Sequence, residues 1–504
     1  MIRISLTRTA LVLACTGVLA GCASMAPSYA RPDAPVPATF ADSGSGTAGD
    51  VADVATLNWR QVFLDPRLQQ VIAQALDNNR DLRVAVLNID KARAQYRIQR
   101  ADLFPSVDLS GSQSASRSSA STSSSGRSEV ARTYAADVGV SSWELDLFGR
   151  IRSLKDEALE TYLATAQTQR STRMSLVAEV AADWLTVAAD QQRLALAQQT
   201  LASQQQTLKL TEAQHQQGTV SGLDLAQVQT SVESARADVA SYTTQLATSR
   251  NALDLVVGAP VAADALPQAS ALESGVALAP LPSPLPSRVL LQRPDVLYAE
   301  HTLKSANADI GAARAAFFPK ISLTGAFGTA SPTLGGLFKA GTAAWSFAPS
   351  IALPIFEGGQ NIANLDLAHV QKRIEIANYE KAIQSAFREV SDGLAARGTY
   401  DQQIAALERN EHAQQRRFDL SDLRYKNGVD SYLSVLTAQT DLYSAQQSLI
   451  SARLARWTNL VDLYRALGGG WIQHAGEAPR APDAPVDYDK AAVPAPASAT
   501  ATNG

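Results

Sequence analysis

Between Arg150 and Val257 the chain contains no proline, and its only glycines are Gly218 and Gly222. Proline removes a backbone donor and clashes with the preceding turn, and glycine is the usual helix stop, so this stretch predicts two helices broken at one tight turn. A helix over about 151–217 would run roughly 100 Å at 1.5 Å per residue, longer than an ordinary globular domain needs. Val180, Val187, Leu194, Leu201 and Leu208 recur every seven residues along it, with Val177 and Trp184 on the interleaved seam. That is a coiled-coil stripe. The second half of the chain behaves alike: no proline occurs between Pro354 and Pro479, Gly393 and Gly398 interrupt the pattern mildly, and Gly428 stands where Gly218 predicts the turn.

The likeness is a duplication. Residues 79 to 111 align without gaps on 293 to 325, with Asp81 on Asp295, Ala85 on Ala299, Arg100 on Arg314, Phe104-Pro105 on Phe318-Pro319 and Gly111 on Gly325. Farther on, Gly218, Ser221, Leu223 and Gln229 fall on Gly428, Ser431, Leu433 and Gln439, each 210 residues later. Two copies of so long a period do not describe a solenoid of small repeats. Each copy reads as helix, two short strands, a very long helix, a glycine turn and a returning helix. The shorter helices, about 64–103 with 223–257 and about 288–316 with 431–467, match the long ones in summed length if each pair stacks end to end.

The strands are marked by alternation. Ile321, Leu323 and Phe327 alternate with Ser322, Thr324 and Gly328, and Trp345, Phe347, Ile351, Leu353 and Ile355 alternate with smaller or polar neighbours. Val107, Leu109, Val138 and Val140 repeat the pattern more weakly around a Ser-rich loop at 112–128. A period of two is that of a strand with one apolar face. Four strands of about ten residues are long enough to cross a membrane when tilted, but lipid offers no partner to an open edge and single-chain barrels begin at about eight strands. Sister copies must therefore close the sheet, and three would supply twelve strands and twelve helical columns. A soluble hairpin pair packed on the helices is the alternative.

At the amino terminus, Arg3 and Arg8 precede an apolar run from Thr9 to Ala20, an export signal too short to span a bilayer stably. It ends in Leu19-Ala20-Gly21-Cys22, which resembles the bacterial lipobox. Cys22 then becomes the first mature residue and carries a covalent diacylglycerol and an N-acyl chain of the palmitate kind. By the same similarity, Ala23 and Ser24 imply sorting to the outer membrane. Only Cys15 and Cys22 are present, so disulfide and thiolate-metal frameworks are excluded. With Lys+Arg 44 against Asp+Glu 48 and no charge runs, no nucleic-acid partner is expected. His215, His301, His369, His412 and His474 lack metal-ligand spacing, and no nucleophile elbow or phosphate loop is present, so no enzyme, metal or other cofactor is expected.

Five ordered segments resemble a known family: Ser142-Trp143-Glu144-Leu145-Asp146-Leu147-Phe148-Gly149-Arg150-Ile151-Arg152, Arg293-Pro294-Asp295-Val296 with Ala299-Glu300, Phe317 through Gly325, Leu353 through Gly359, and Ala466-Leu467-Gly468-Gly469-Gly470-Trp471. They are similar to the NodT/TolC-like outer membrane factors, the channel lipoproteins of tripartite, RND-type efflux systems, over about 55–472. The resemblance implies a homotrimer contacting outer-membrane lipid, a periplasmic adaptor and an inner-membrane pump, and it implies export of drugs or other small toxic compounds. An exit duct of a type I protein secretion system and a non-inserting periplasmic coiled-coil scaffold are the alternatives.

The expected fold class is mainly α with a small membrane β-barrel part: a two-fold internal repeat whose long coiled-coil helices form a trimeric α-helical barrel, with four strands per protomer in a shared twelve-stranded β-barrel. Its expected divisions are a signal peptide (1–21), a lipidated extended segment (22–63), a first repeat (64–257, strands about 105–118 and 132–146, tip turn 218–222), an equatorial linker (258–287), a second repeat (288–467, strands about 319–331 and 343–356, tip turn 428–430), and a carboxyl-terminal equatorial segment and tail (468–504).

Function is expected at the periplasmic tips. Gly218, Ser221, Leu223 and Asp224 form one candidate set, and Gly428, Val429, Asp430, Ser431, Tyr432, Leu433, Thr437 and Asp441 the other. The segment Tyr425 through Leu433 resembles the family's tip loop, which contacts the adaptor and leads into the gate. Relatives carry Leu-Asp-Ala-Gln after it; this chain has Leu436-Thr437-Ala438-Gln439, so an anionic ring at that level is in doubt. Asp224, Asp430 and Asp441 are the candidates to supply negative charge, with helix capping or solvent exposure as the alternative. Leu433 and Thr437 are expected to form part of the resting constriction.

Overall fold

The computed structural model describes residues 24–40, 58–121, 126–273 and 286–470. Cys22, the export signal, Trp471 and the tail lie outside the described residues. Contacts divide the chain into two compact units, one built from Met1–Pro35, Arg83–Gln169 and Leu297–Ala382, the other from Val36–Leu82, Arg170–Val296 and Ile383–Gly504. The elements run α1 (Trp59–Val62), α2 (Pro66–Asn78), α3 (Arg80–Ala101), β1 (Asp108–Ser118), β2 (Glu129–Glu144), α4 (Arg150–Gln216), α5 (Gly222–Val257), α6 (Pro294–Ala315), β3 (Lys320–Ser331), β4 (Ala343–Ala352), α7 (Gln360–Lys426) and α8 (Tyr432–Ala466). Both α4 and α7 have 67 residues, and Gly393 and Gly398 are carried inside α7 without a break.

The first unit holds the strands, in one antiparallel sheet ordered β1-β2-β3-β4. Leu109 pairs with Val138, Val138 with Phe327, Phe327 with Trp345, and Ile321 with Ile351. Directly paired residues share a face, so these side chains and Phe347, which pairs with Gly325, form one apolar surface. The alternate positions, Ser110, Ser112, Asp137, Ser322, Thr324, Ser346 and Ser350, form a polar surface of small side chains. Within it Ser110 donates to Asp137 (2.8 Å), and Ser322 and Ser350 meet at 2.7 Å. Leu109, Phe327, Trp345, Phe347 and Ile351 are all exposed in the single chain, and β1 and β4 are open edges.

Two strand boundaries differ from expectation, and one register contains a bulge. Strand β2 starts at Glu129, just past the Ser-rich tract, and β1 runs into that tract as far as Ser118 where a loop was expected, because the two strands pair fully down to Ser118↔Glu129. Strand β4 stops at Ala352, two residues before Pro354, which has no N–H to donate. The β2–β3 register slips between Val140 and Trp143, where Ser142 has φ 55. That bulge puts Trp143 opposite Leu323 and restores the face. At the return into α4, Arg150 grips Glu144 through Nε and Nη2 (2.8 and 2.7 Å), and Lys320 reaches the same carboxylate at 3.1 Å. The residues after Cys22 are tied to α6: Asn307 donates to the Pro27 carbonyl (2.8 Å), and Arg31 pairs with Glu300 (3.0 Å).

In the second unit the seam of α4 is sealed at Val177, Val180, Trp184 and Val187, whereas Leu194, Leu201 and Leu208 are half-buried. The helix expected over 64–103 is interrupted. Asn79 leaves helical geometry (ψ 130), its Oδ1 accepts from the Leu82 amide (2.8 Å), and its Nδ2 donates to the Val256 carbonyl (2.7 Å). One side chain thus caps α3 and ties it to the end of α5, a junction sequence periodicity does not reveal. Gly258, at φ +78, lies so close that a Cβ there would stand 2.6 Å from the Asn78 oxygen. The indoles of Trp184 and Trp457 hold the segment after α5 by donating to the carbonyls of Ala265 (3.0 Å) and Leu272 (3.2 Å). Arg293, 2% exposed, bonds Asp295, Glu389 and the Ala466 carbonyl together.

Candidate functional site

The two glycine turns lie in the second unit and close in the same way. Gly218 N–H donates to the His215 carbonyl (2.9 Å) and Thr219 N–H to Gln214 (3.0 Å); Gly428 donates to Tyr425 (2.9 Å) and Val429 to Arg424 (3.0 Å). Both glycines are left-handed, with φ +74 and +71, the conformation that lets a helix end satisfy its last carbonyls this way. The helix starts that follow differ. Ser221 accepts from the Asp224 amide (3.2 Å) and donates to the Asp224 carboxylate (2.6 Å), so Asp224 is part of a helix cap. Ser431 occupies the matching cap position with no side-chain hydrogen bond to the helix, and residue 434, where the first repeat has Asp224, is serine and offers no carboxylate in return.

Behind the turns, buried Tyr432, Val228 and Val435 pack with Leu208, Phe418, Tyr425 and Leu436. The Tyr425 and Tyr432 rings meet edge to face at 5.5 Å, and the Tyr425 hydroxyl reaches Gln214 at 3.4 Å. Burial, helped by neighbouring Tyr425, pushes the Tyr432 hydroxyl up to about 12, so it stays neutral. Leu223, Val429, Leu433 and Thr437 are exposed, and the Thr437 hydroxyl donates to the Leu433 carbonyl (2.9 Å). Apolar and hydroxyl side chains therefore face outward at the level where an acid was in doubt.

The aspartates are not free charges. Arg424 forks onto Asp430 (2.6 and 3.1 Å), a bond that holds the carboxyl below its usual range, and Arg417 binds Asp441 at 2.6 Å. Lys426 meets Asp422 at 2.7 Å. Of the three aspartates expected to supply negative charge near the tip, Asp430 and Asp441 are thus each paired with an arginine within the single chain and Asp224 sits in a helix cap. Arg424 is six residues from Asp430 across the Gly428 turn and could have been noticed from spacing. Arg417 and Asp441 lie on different helices, and only packing brings them together. No group of three or more His, Cys, Asp or Glu side chains suited to a metal occurs among the described residues.

The profile of the outer membrane efflux protein family matches residues 71–259 and 285–469, one match for each repeat. The chain belongs to the outer membrane efflux protein family. This efflux protein is 48% identical over 475 residues to the probable efflux pump outer membrane protein TtgC of Pseudomonas putida, covering 94% of this chain and 98% of the relative. It is 43% identical over 453 residues to the outer membrane protein OprJ of Pseudomonas aeruginosa, covering 90% and 94%. Among solved structures, the open state of the Neisseria gonorrhoeae MtrE outer membrane channel superposes with a TM-score of 0.81 at 40% identity, covering 90% of this chain and all of that one. The efflux protein is accordingly an outer-membrane channel component of an efflux pump that extends into the periplasm, and its mainly helical fold with a β-barrel part is that of these channels. The four strands that a non-inserting scaffold would lack are present.

Proposed function

We propose that three copies of this chain close into a passive conduit, twelve strands through the outer membrane and twelve helical columns below, which receives drugs or other small toxic compounds from a periplasmic adaptor and an inner-membrane pump of the RND type. The observation that carries this reading is the sheet: one face apolar and exposed, the other polar and small, and two open edges. Edges of that kind are tolerated in lipid only when paired, and pairing β4 of one copy with β1 of the next leaves none. The polar face then lines water and the apolar face meets acyl chains.

Transport through such a tube depends on width and field, with no bond made or broken. The paired turns are its narrow end, and Leu433 and Thr437 contribute to the constriction, with Gly218, Leu223, Gly428 and Val429 offered to the adaptor. Cys22 bears the acyl anchor. Planar-bilayer recording of the purified protein tests the reading: wild type should insert as a trimer with small conductance, and Leu433→Ala with Thr437→Gly should raise it. A protein that stays monomeric and forms no pore would sink the conduit, while an unchanged variant would remove only these two residues from the gate.

A further inference from the structure

The two hairpins of the sheet differ in one respect that conduction does not use. Strands β3 and β4 carry one base, Lys320, at their helix-proximal end, and the turn between them carries a single lysine, Lys339. Strands β1 and β2 carry Arg117 and Arg132 at the opposite end, and Arg127 lies in the turn between them. Because Ala115 pairs with Arg132 and Arg117 with Val130, both arginines are on the face that holds Leu109 and Val138, the apolar one. Val107, just before β1, is exposed on the same side, and ten residues at about 3.4 Å, tilted by about 40°, rise roughly 26 Å from it to Arg117. The apolar band of an outer-membrane barrel is about 25 Å tall, so Arg117 stands at the level of the outer headgroups, and Arg132, level with Ala115 at roughly 21 Å, reaches them along its own side chain.

All three arginines are exposed, and none has an ion pair among the described residues. Ser128 accepts from Arg117 Nε at 2.8 Å, which orients that guanidinium and leaves its terminal nitrogens uncommitted. Fixed guanidinium forks directed sideways into a headgroup layer fit phosphate monoesters.

We propose that the outward face of the β1–β2 hairpin binds the phosphates of a bis-phosphorylated glycolipid of the outer leaflet, of the lipid A type, through Arg117 and Arg132. The β3–β4 hairpin has no arginine and only Lys339 in its turn, so a trimer presents three paired-arginine sites alternating with three sectors of lower charge. This rests on the shared-barrel reading, since only there does the apolar face meet lipid.

The test uses the full-length trimer in detergent, titrated with lipid A in its bis-phosphorylated and dephosphorylated forms, with phosphatidylglycerol, and with inorganic phosphate as competitor. Bis-phosphorylated lipid A should bind in preference to the other two lipids, and R117Q with R132Q should weaken it roughly 30-fold. R117K with R132K should recover part of the affinity, and all variants should remain trimeric and conduct. Equal binding of the dephosphorylated form, equal binding of phosphatidylglycerol, or an unaffected glutamine variant would each overturn the proposal. If the glutamine variant fails to assemble, the comparison of lipids on wild type decides alone. Absence of trimer and pore in wild type would instead count against the shared barrel.

Discussion

Phe347 and Ser346 are neighbours in β4 and, because the side-chain period is two, point to opposite faces. Phe347 pairs with Gly325 near the middle of β3, so it lies near the membrane midplane, and 63% of it is exposed in the single chain. An arginine there must put its charge in hydrocarbon, at about 2–4 kcal/mol per strand at the midplane, or about 6–12 kcal/mol when all three copies carry it. Ser346 pairs with Ala326 on the polar face, where an arginine would hang in water and cost little. Phe347→Arg should therefore abolish most heat-resistant trimer after refolding into vesicles and lower its urea midpoint. Ser346→Arg should assemble normally and shift the ion selectivity of the pore toward anions, since it adds three positive charges to the lumen. If the two variants lose stability equally, or if Ser346→Arg is the one that fails, the assignment of faces is wrong.

Gly258→Ala should destabilise the protein more than Gly428→Ala: both are left-handed, at about 1–2 kcal/mol for a non-glycine residue, but only at Gly258 would a Cβ strike backbone, and denaturant midpoints of the two variants should separate accordingly. The Asp430 carboxyl is depressed by Arg424, so its pairing is intact above the ordinary carboxylate range and is lost only as pH falls through the lowered value. Wild-type conductance should be flat from pH 7 to 5, and Arg424→Gln should raise it across that range; an unchanged Arg424→Gln pore would exclude a role for the pair in holding the tip. Glu157 is pushed up to about 7 by burial and then by Asp309. Its raised value gives stability that is full below about 4.5 and lost as pH rises through about 7, so Glu157→Gln should stabilise the protein at pH 8 by on the order of 1–2 kcal/mol, allowing for the part left in water, and should have no such effect at pH 4.

The long helices, the glycine turns and the strand alternation were legible because each depends on residues close in sequence: absent prolines over 150–257, the Gly218 and Gly428 pair, and the period of two around Phe327 and Trp345. The break at Asn79 was not, because its cause is a carbonyl at Val256 supplied by another helix. At the tip, the turns themselves could be read, but the neutralisation of Asp441 by Arg417 could not.

By itself the sequence determined that this chain repeats one plan twice, sends two uninterrupted helices out and back, and owns too few strands to seal a barrel. Those properties follow from local steric limits and from periodicity, which a single chain carries in its order of residues. Tertiary structure alone decided which strand faces coincide, where the register slips, which carboxylates are paired, and that Arg117 and Arg132 share the apolar face. Each of these depends on the register or approach of segments far apart in the chain, and a one-residue slip in pairing would reverse every side chain on a strand.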